Sequence, residues 1–153
     1  MSLIVDVRKK LGSFELESKF EAQNGVTCLL GPSGCGKSMT LKCIAGIEKP
    51  DEGYIELDGV VLYDSAKGIN LPPQKRRVGY LFQNYALFPH MSVKNNIIYG
   101  LKAHKMDENE IDARLKEVLK MLELEGLEDR KPKELSGGQR QRLTIARALV
   151  GDP

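Results

Sequence analysis

An eight-residue segment near the amino terminus has the residue types needed to hold a phosphate group. Residues 31–38 read GPSGCGKS and match the pattern GxxxxGK[ST]. Glycines let the backbone curl around an anion without Cβ clashes, and the curled main chain points several N–H groups inward. The ammonium of Lys37 then reaches the β- and γ-phosphates, and the hydroxyl of Ser38 ligates Mg²⁺. The segment predicts a site for the polyphosphate tail of a nucleoside triphosphate.

The alternative for this segment is a structural glycine turn before a helix. At average amino-acid frequencies the pattern arises at about one position in ten thousand or fewer, so chance is a poor explanation. Its place between an apolar run and a helical pattern also favours the phosphate site. The residues expected to line the site are Gly31, Pro32, Ser33, Gly34, Cys35, Gly36, Lys37, Ser38 and Met39.

A second glycine pair opens another predicted helix. Residues 135–149 read LSGGQRQRLTIARAL. Ser136 before two glycines can begin a helix whose free N–H groups point outward, which would make a second anion site. Ser-Gly-Gly is also a reasonable cap for any helix. Taken alone, this segment leaves both interpretations open.

Strand patterns come first along the chain. Residues 3–7 and 14–20 predict strands, and Asp58-Gly59 joins a predicted strand pair formed by YIEL and VVLY. Two continuous apolar runs, VTCLL at 26–30 and RVGYLF at 77–82, predict strands buried on both faces of a parallel sheet. The first buried strand would lead directly into the phosphate loop.

Helical patterns follow. Helices are expected at about 37–47, from Ser92 to 101, from Asp107 to 122 with a capping box through Glu110, and from Ser136 to 150. The third has an apolar face made by Ile111, Leu115, Val118, Leu119 and Leu122. Strands first, helices next and a return to the core imply an α/β fold with a helical insert.

Composition bounds the function. Of the 153 residues, 41% are hydrophobic and 29% are charged, as in ordinary globular domains, and the net charge of +2 gives no footprint for nucleic acid. No apolar stretch approaches the roughly 20 residues that span a bilayer, and the amino terminus lacks a secretory pattern. Three cysteines without metal-ligand spacing fit a reducing compartment, with Cys28 and Cys43 expected in the core.

The combination of LSGGQ with QRxxIARAL resembles the signature of the ATP-binding-cassette (ABC) ATPases. The resemblance implies that the signature of one copy closes over the γ-phosphate held by the phosphate loop of a second copy, with two ATP molecules sandwiched in a head-to-tail dimer. Gln83, after the run VGYLF, occupies the place of the family's Q-loop glutamine, which contributes an oxygen to Mg²⁺ or the attacking water. Catalytic roles therefore fall to Lys37 and Gln83, metal ligation to Ser38 and Gln83, and nucleotide contacts at the signature to Ser136, Gly137, Gly138 and Gln139.

The resemblance also implies a P-loop NTPase fold with an antiparallel β subdomain and a helical subdomain. It divides the chain into a core at 1–85, a helical subdomain at 86–135 and a signature segment at 136–153. Family members continue into a strand ending in Asp-Glu, where this sequence reads Gly151-Asp152-Pro153. The core sheet is therefore expected to be incomplete, and these 153 residues to bind nucleotide but turn over ATP negligibly. Neither His90 nor His104 matches the family's switch histidine.

The stretch at 71–101 resembles ATPase subunits of binding-protein-dependent importers for molybdate, sulfate, iron, polyamines and sugars, and residues 64–80 resemble the molybdate type most. This implies an ATPase held peripherally at the cytoplasmic face of a bacterial inner membrane by a permease. Leu87, Phe88 and Met91 would dock that permease or belong to the core. Phe14 would stack on adenine or pack in the core. The alternatives are an ABC ATPase of DNA repair or translation, and a nucleotide-binding module without turnover.

Overall fold

The computed structural model describes residues 2–103 and 105–153, which form two compact units, one reaching to Val78 and the other beginning at Gly79. The signature segment packs with the helices of the second unit. His104 lies outside the described residues. No helix among the described residues has both the length and the apolar character that crossing a membrane requires.

The first unit is built on an antiparallel sheet of five strands in the order β2-β1-β3-β4-β5. Asp58 and Gly59 both have positive φ (49° and 78°), which suits the tight hairpin predicted between β3 and β4. The central strand β1 pairs with β2 on one side and with β3 on the other. The strands are β1 at Leu3–Leu11, β2 at Phe14–Ala22, β3 at Glu52–Leu57, β4 at Val60–Asp64 and β5 at Ile69–Asn70.

Helix α1, at Lys37–Ala45, covers one face of this sheet. Its buried residues are Thr40, Cys43, Ile44 and Ala45, all in the later part of the helix. Cys43 and Ile44 share a core with β1, β3 and β4 residues, namely Val5, Val7, Ile55, Leu62 and Tyr63. The sheet and helix together confirm the predicted α/β class.

The two predicted buried strands at 26–30 and 77–82 are not formed. Both segments are irregular, and the side chains of Val26 and Leu30 are 95% and 91% exposed. Cys28, expected in the core, is exposed as well, whereas Cys43 is buried as predicted. A strand needs a hydrogen-bonded neighbour, and within the described residues no strand pairs with either segment. Every strand pair of the described sheet is antiparallel, so the described residues do not form the parallel sheet that the two apolar runs predict.

The second unit is helical. Its helices are α2 at Val93–Ala103, α3 at Glu108–Met121 and α4 at Gly137–Leu149, with a short 3₁₀ turn at Pro132–Glu134 and another, in the first unit, at Pro73–Lys75. Four residues of the predicted apolar face of α3 are buried, and Leu122 is partly buried. The α4 residues Leu143, Ala146 and Val150 join α2 and α3 in one core.

Two predicted helix starts are capped by the expected residues. The Asn95 N–H donates to the Ser92 hydroxyl over 3.2 Å. The Asp107 carboxylate accepts from the Asn109 N–H at 2.9 Å, so Asp107 caps α3 directly, without the reciprocal bond expected from Glu110. Both caps satisfy a main-chain donor that has no partner inside its helix.

Asn96 holds the irregular segment that precedes α2. Its side chain is 1% exposed, and its carbonyl oxygen accepts from the Phe88 N–H at 2.9 Å. Its amide nitrogen lies within 3.0–3.2 Å of the main-chain oxygens of Phe88, Met91 and Ser92. One buried amide thus replaces the main-chain pairing that this segment lacks.

We predict that Asn96→Ala lowers the free energy of unfolding by about 1–3 kcal/mol, because it removes a buried amide and leaves the Phe88 N–H and the Met91 oxygen without the hydrogen bonds that this amide supplies. Asn95→Ala is the matched control: Asn95 is exposed on the same helix, and its replacement should change stability by no more than about 0.5 kcal/mol. Urea denaturation followed by far-UV circular dichroism measures both. Equal stability of the two variants would contradict the role given to Asn96.

Candidate nucleotide-binding site

The glycine-rich segment forms a tight loop that ends at the start of α1. Gly34 and Gly36 have φ of 84° and 92°, a left-handed conformation that glycine adopts without strain. At Gly36 a Cβ would also lie 2.4 Å from the Leu16 Cδ1. The dihedral angle of position 36 favours glycine, a larger residue there would also displace the Leu16 side chain, and the loop turns through left-handed glycines as predicted.

Lys37 points its ammonium into this loop. The Nζ donates to the carbonyl oxygens of Gly31 and Pro32, both at 2.7 Å. It also lies 3.3 Å from the Cys35 Sγ. The only cation on the loop is thus centred among its main-chain groups, where an anion would be enclosed.

The first turn of α1 is open. No side chain caps the helix at Gly36, and Ser38 is exposed. The Thr40 N–H bonds back to the Gly36 oxygen at 2.9 Å, which marks the beginning of the regular helix ladder. Uncapped first-turn amides and the positive end of the helix suit phosphate oxygens. The residues present here therefore fit a polyphosphate group.

Phe14 lies at the edge of the phosphate loop. Its side chain is 40% exposed, and its Cε1 is 3.6 Å from the position of a Cβ built on Gly36. The ring is therefore outside the core cluster formed by the sheet and α1, while Leu16, two residues later on β2, is 3% exposed. An aromatic face at this position can reach a group that extends from the loop.

The signature segment begins α4 with a reciprocal cap. The Gln139 N–H donates to the Ser136 hydroxyl at 3.2 Å, and the Ser136 N–H donates to the Gln139 Oε1 at 2.9 Å. The structural role that the sequence left open for Ser136 is thus present. The hydroxyl of a serine can still donate its own hydrogen to another acceptor while it caps the helix.

Gly137 and Gly138 have no structural reason to be glycine. Neither has a positive φ, and a Cβ on either would meet nothing within 4 Å. Inside a helix, glycine lowers stability relative to alanine by about 1 kcal/mol. Glycine is common where a backbone must be closely approached by a ligand, so these two positions indicate a contact surface.

Gln83 lies in the second unit, on a shallow groove beside α4. The groove is lined on one side by Leu81, Phe82, Gln83 and Tyr85, and on the other by Gln141, Thr144 and Ile145. The Gln83 side chain is exposed. The structure thus brings the Q-loop candidate and the signature helix into one unit, while Lys37 and Ser38 belong to the other.

Two α4 residues that the sequence analysis did not single out hold the segment after Gln83. The Thr144 hydroxyl lies 3.4 Å from the Tyr85 oxygen, and an Arg147 guanidinium nitrogen donates to the Ala86 oxygen. The Arg147 guanidinium also lies 4.5 Å from the centre of the Phe88 ring, and burial lowers the pKa of Arg147. Both residues lie in the motif TIARAL. The periodicity of that motif predicts a helix but not these contacts.

The candidate docking residues have mixed surroundings. Leu87 packs against the helical core. Phe88 is half-buried, and its ring lies tilted at 54° to the Tyr99 ring with the ring centres 4.7 Å apart. Met91 is half-buried as well. Among the described residues, no group of three or more His, Cys, Asp or Glu side chains could hold a metal ion.

The family model described as ABC transporter matches residues 17–153. The chain is 46% identical over 151 residues to the molybdenum import ATP-binding protein ModC of Paramagnetospirillum magneticum, and that alignment covers 99% of this chain and 41% of the relative. It is 52% identical over 143 residues to the spermidine/putrescine import protein PotA of Clostridioides difficile, covering 94% and 39%. For the trehalose/maltose import protein MalK of Thermococcus litoralis the identity is 47%, covering 98% and 41%.

Two solved structures of a bacterial ABC transporter cassette also resemble this chain, one described as dimeric and one as a dimeric post-hydrolysis state bound to ADP and Pi. Each superposes with a TM-score of 0.73 at 31% sequence identity and covers 100% of this chain and 71% of the other. The chain spans about two-fifths of the length of the curated relatives. Because the family model covers nearly all of these residues, the chain belongs to the ABC transporter family.

Proposed function

We propose that the chain is the nucleotide-binding part of an ATPase that drives a bacterial importer from the cytoplasmic face of the inner membrane. The observation that carries this proposal is the phosphate loop: the Lys37 ammonium lies among the loop carbonyls, directly before a helix whose first turn has no cap. ATP and Mg²⁺ are the proposed ligands. The membrane association is peripheral and runs through a permease.

Binding exchanges one set of acceptors for another. The Lys37 ammonium has three donors, which now face the Gly31 and Pro32 oxygens and the Cys35 sulfur. Phosphate oxygens would take over these donors and form shorter, charge-assisted hydrogen bonds. The amides at the start of α1 add their N–H groups, and the Ser38 hydroxyl turns toward Mg²⁺. Phe14 is the candidate to stack on adenine, which its exposure beside the loop supports.

Catalysis needs groups beyond this loop. Mg²⁺ neutralises charge on the transferred phosphoryl group, and a positioned water must attack it. Lys37 holds the β- and γ-phosphates, and Gln83 supplies a side-chain oxygen toward the metal or the water. The family's catalytic Glu has no counterpart in residues 1–153. These residues alone are therefore proposed to bind nucleotide without appreciable turnover.

The second anion site is proposed to act on a second copy of the chain. The amides of Gly137 and Gly138 lie at the start of α4 with open space around them, and the Ser136 hydroxyl retains a hydrogen to donate. They would contact the γ-phosphate held by the other copy's phosphate loop. The solved relatives are described as dimeric, which supports this arrangement. ATP then stabilises the closed dimer by adding contacts that the open state lacks.

The proposed solute is an oxyanion such as molybdate, which the residues at 64–80 favour. The curated relatives carry import names for molybdenum, spermidine/putrescine and trehalose/maltose, so a polyamine or sugar importer is the nearest alternative, with iron a third. A non-transport ABC ATPase of DNA repair or translation is a second class, which these import names disfavour. Permease docking is proposed at Leu87, Phe88 and Met91.

In the full-length protein, Lys37→Ala should raise the Kd for Mg-ATP by about tenfold or more, because it removes the one cation at the centre of the loop. Lys42→Ala is the matched control, since Lys42 lies on the last turn of the same helix, away from the loop. Isothermal titration calorimetry measures both. Absence of binding by the wild type, or an unchanged Kd for Lys37→Ala, would refute the proposal.

Modification of Cys35 should block nucleotide binding. In a Cys28→Ser variant the exposed thiol at position 28 is gone, and Cys43 is buried with its pKa raised by burial, so maleimide should react at half-buried Cys35. A maleimide on a sulfur 3.3 Å from the Lys37 Nζ obstructs the loop, and Mg-ATP should protect it. Mass spectrometry locates the label, and unchanged binding after complete Cys35 modification would contradict this geometry.

Residues 1–153 expressed alone should show negligible ATPase activity, whereas the full-length protein should hydrolyse ATP. The physical reason is that a phosphate loop can hold the nucleotide but cannot position the attacking water. A phosphate-release assay compares the two, with Lys37→Ala in each as the blank. Substantial turnover by the 153-residue chain that disappears in Lys37→Ala would disprove this division of labour.

A further inference from the structure

Arg76 is a buried cation that the proposed mechanism does not use. Its side chain is 2% exposed, and no carboxylate among the described residues lies within ion-pair distance of it. An isolated buried charge costs several kcal/mol unless other groups satisfy it. Arg77, the next residue, is exposed. The burial of Arg76 beside an exposed Arg77 indicates that the guanidinium at position 76 makes specific contacts inside the protein.

The Arg76 guanidinium is satisfied entirely by oxygens from two separate segments. One terminal nitrogen donates to the Cys43 and Ile44 main-chain oxygens at 2.8 and 2.9 Å. The other terminal nitrogen donates to the Asn70 side-chain oxygen at 2.9 Å, and the Nε donates to the Leu71 oxygen at 2.7 Å. The planar fork therefore joins the last turn of α1 to the chain around β5.

The chain around the end of α1 is shaped to admit this guanidinium. Gly46 ends the helix with φ of 75°, and a Cβ there would lie 2.5 Å from the Arg76 Nε. The last carbonyls of a helix carry partial negative charge, so a cation at this end is favourable. Arg76 thus supplies a donor to the Ile44 oxygen and a second donor to the Cys43 oxygen, which also accepts from the Gly46 N–H at 3.2 Å.

This end of α1 is the anchored end. The buried residues of the helix begin at Thr40, whereas Lys37 is half-buried and Ser38 is exposed. A short helix with a rise of about 1.5 Å per residue behaves as a rigid rod. A change at the anchored end of α1 therefore alters the direction of its first turn. That first turn carries the amides and the lysine of the phosphate loop.

We propose that Arg76 is a positioning residue for nucleotide binding, which fixes the end of α1 and thereby aims the phosphate loop at the far end of the helix. This inference rests on the proposed function of residues 31–38. It assigns Arg76 no contact with nucleotide. Loss of the guanidinium should therefore weaken Mg-ATP binding and leave the turnover of bound nucleotide unchanged.

The test uses four variants of the full-length protein: Arg76→Met, Arg76→Lys, Arg77→Met and Ile55→Val. Arg77→Met is the matched control for loss of an exposed positive charge next in sequence. Ile55→Val destabilises the same core from β3 without removing a hydrogen bond to α1, since the buried Ile55 side chain is apolar. Calorimetry gives the Kd for Mg-ATP, steady-state hydrolysis gives KM and kcat, and thermal unfolding gives Tm.

We expect Arg76→Met to raise the Kd and KM by about tenfold at unchanged kcat, through the loss of several hydrogen bonds from a charged donor. Arg76→Lys should recover part of the affinity, because an ammonium can reach the α1 carbonyls but not Asn70 and Leu71 at once. Ile55→Val should lower the Tm and leave the Kd unchanged. Arg77→Met should change neither.

An unchanged Kd in a folded Arg76→Met protein would overturn the inference while leaving the proposed function intact. A Kd that rises equally in Ile55→Val at equal loss of Tm would also overturn it, because Arg76 would then act only through stability. If Arg76→Met does not fold, Arg76→Lys decides in the same way. Failure of the wild type to bind Mg-ATP would instead reject the proposed function itself.

Discussion

A helix can offer its first turn to an anion only if the rest of the helix is held firmly by something else. Both motif helices meet this condition. The buried residues of α1 begin at Thr40, and those of α4 begin at Leu143. The four or more residues before each of these positions are exposed or half-buried. Burial at one end and open amides at the other are what would allow each helix to serve as the phosphate site that we propose for it.

Buried polar side chains supply hydrogen bonds to main-chain groups in places where the chain has no regular secondary structure. Arg76, Asn96 and Thr144 each donate to main-chain oxygens, and no described buried side-chain N or O lacks a hydrogen-bond partner. Such groups are costly when unpaired and specific when paired, since their geometry tolerates few alternatives. Arg76 and Asn96 thereby supply hydrogen bonds to irregular segments that lack strand or helix partners of their own.

The sequence predicts those features whose cause is local. Asp58-Gly59 forms its hairpin, Ser92 and Ser136 cap their helices, and GPSGCGKS curls before α1, because each conformation depends on residues a few positions apart. The prediction of strands at 26–30 and 77–82 is wrong. A strand needs a second strand to accept and donate its main-chain hydrogen bonds, and an apolar run does not show whether that second strand exists. The roles of Arg76 and Arg147 cannot be predicted from the sequence for the same reason. Each arginine donates to main-chain oxygens that are distant in sequence and come near it only in the folded chain.

The strand order has a consequence for the phosphate loop that involves no contact with it. Strand β1 pairs with both β2 and β3, so the chain from residue 23 to residue 51, which carries the loop and α1, leaves the sheet and returns to it beside a single strand. The strand hydrogen bonds at both ends of this excursion are made to β1, and with the packing of α1 on the sheet they offset the entropy of closing it. Weakening of the β1–β3 pairing would loosen one end of the excursion, and the glycine-rich loop at 31–38 would then lose order although none of its own residues had changed.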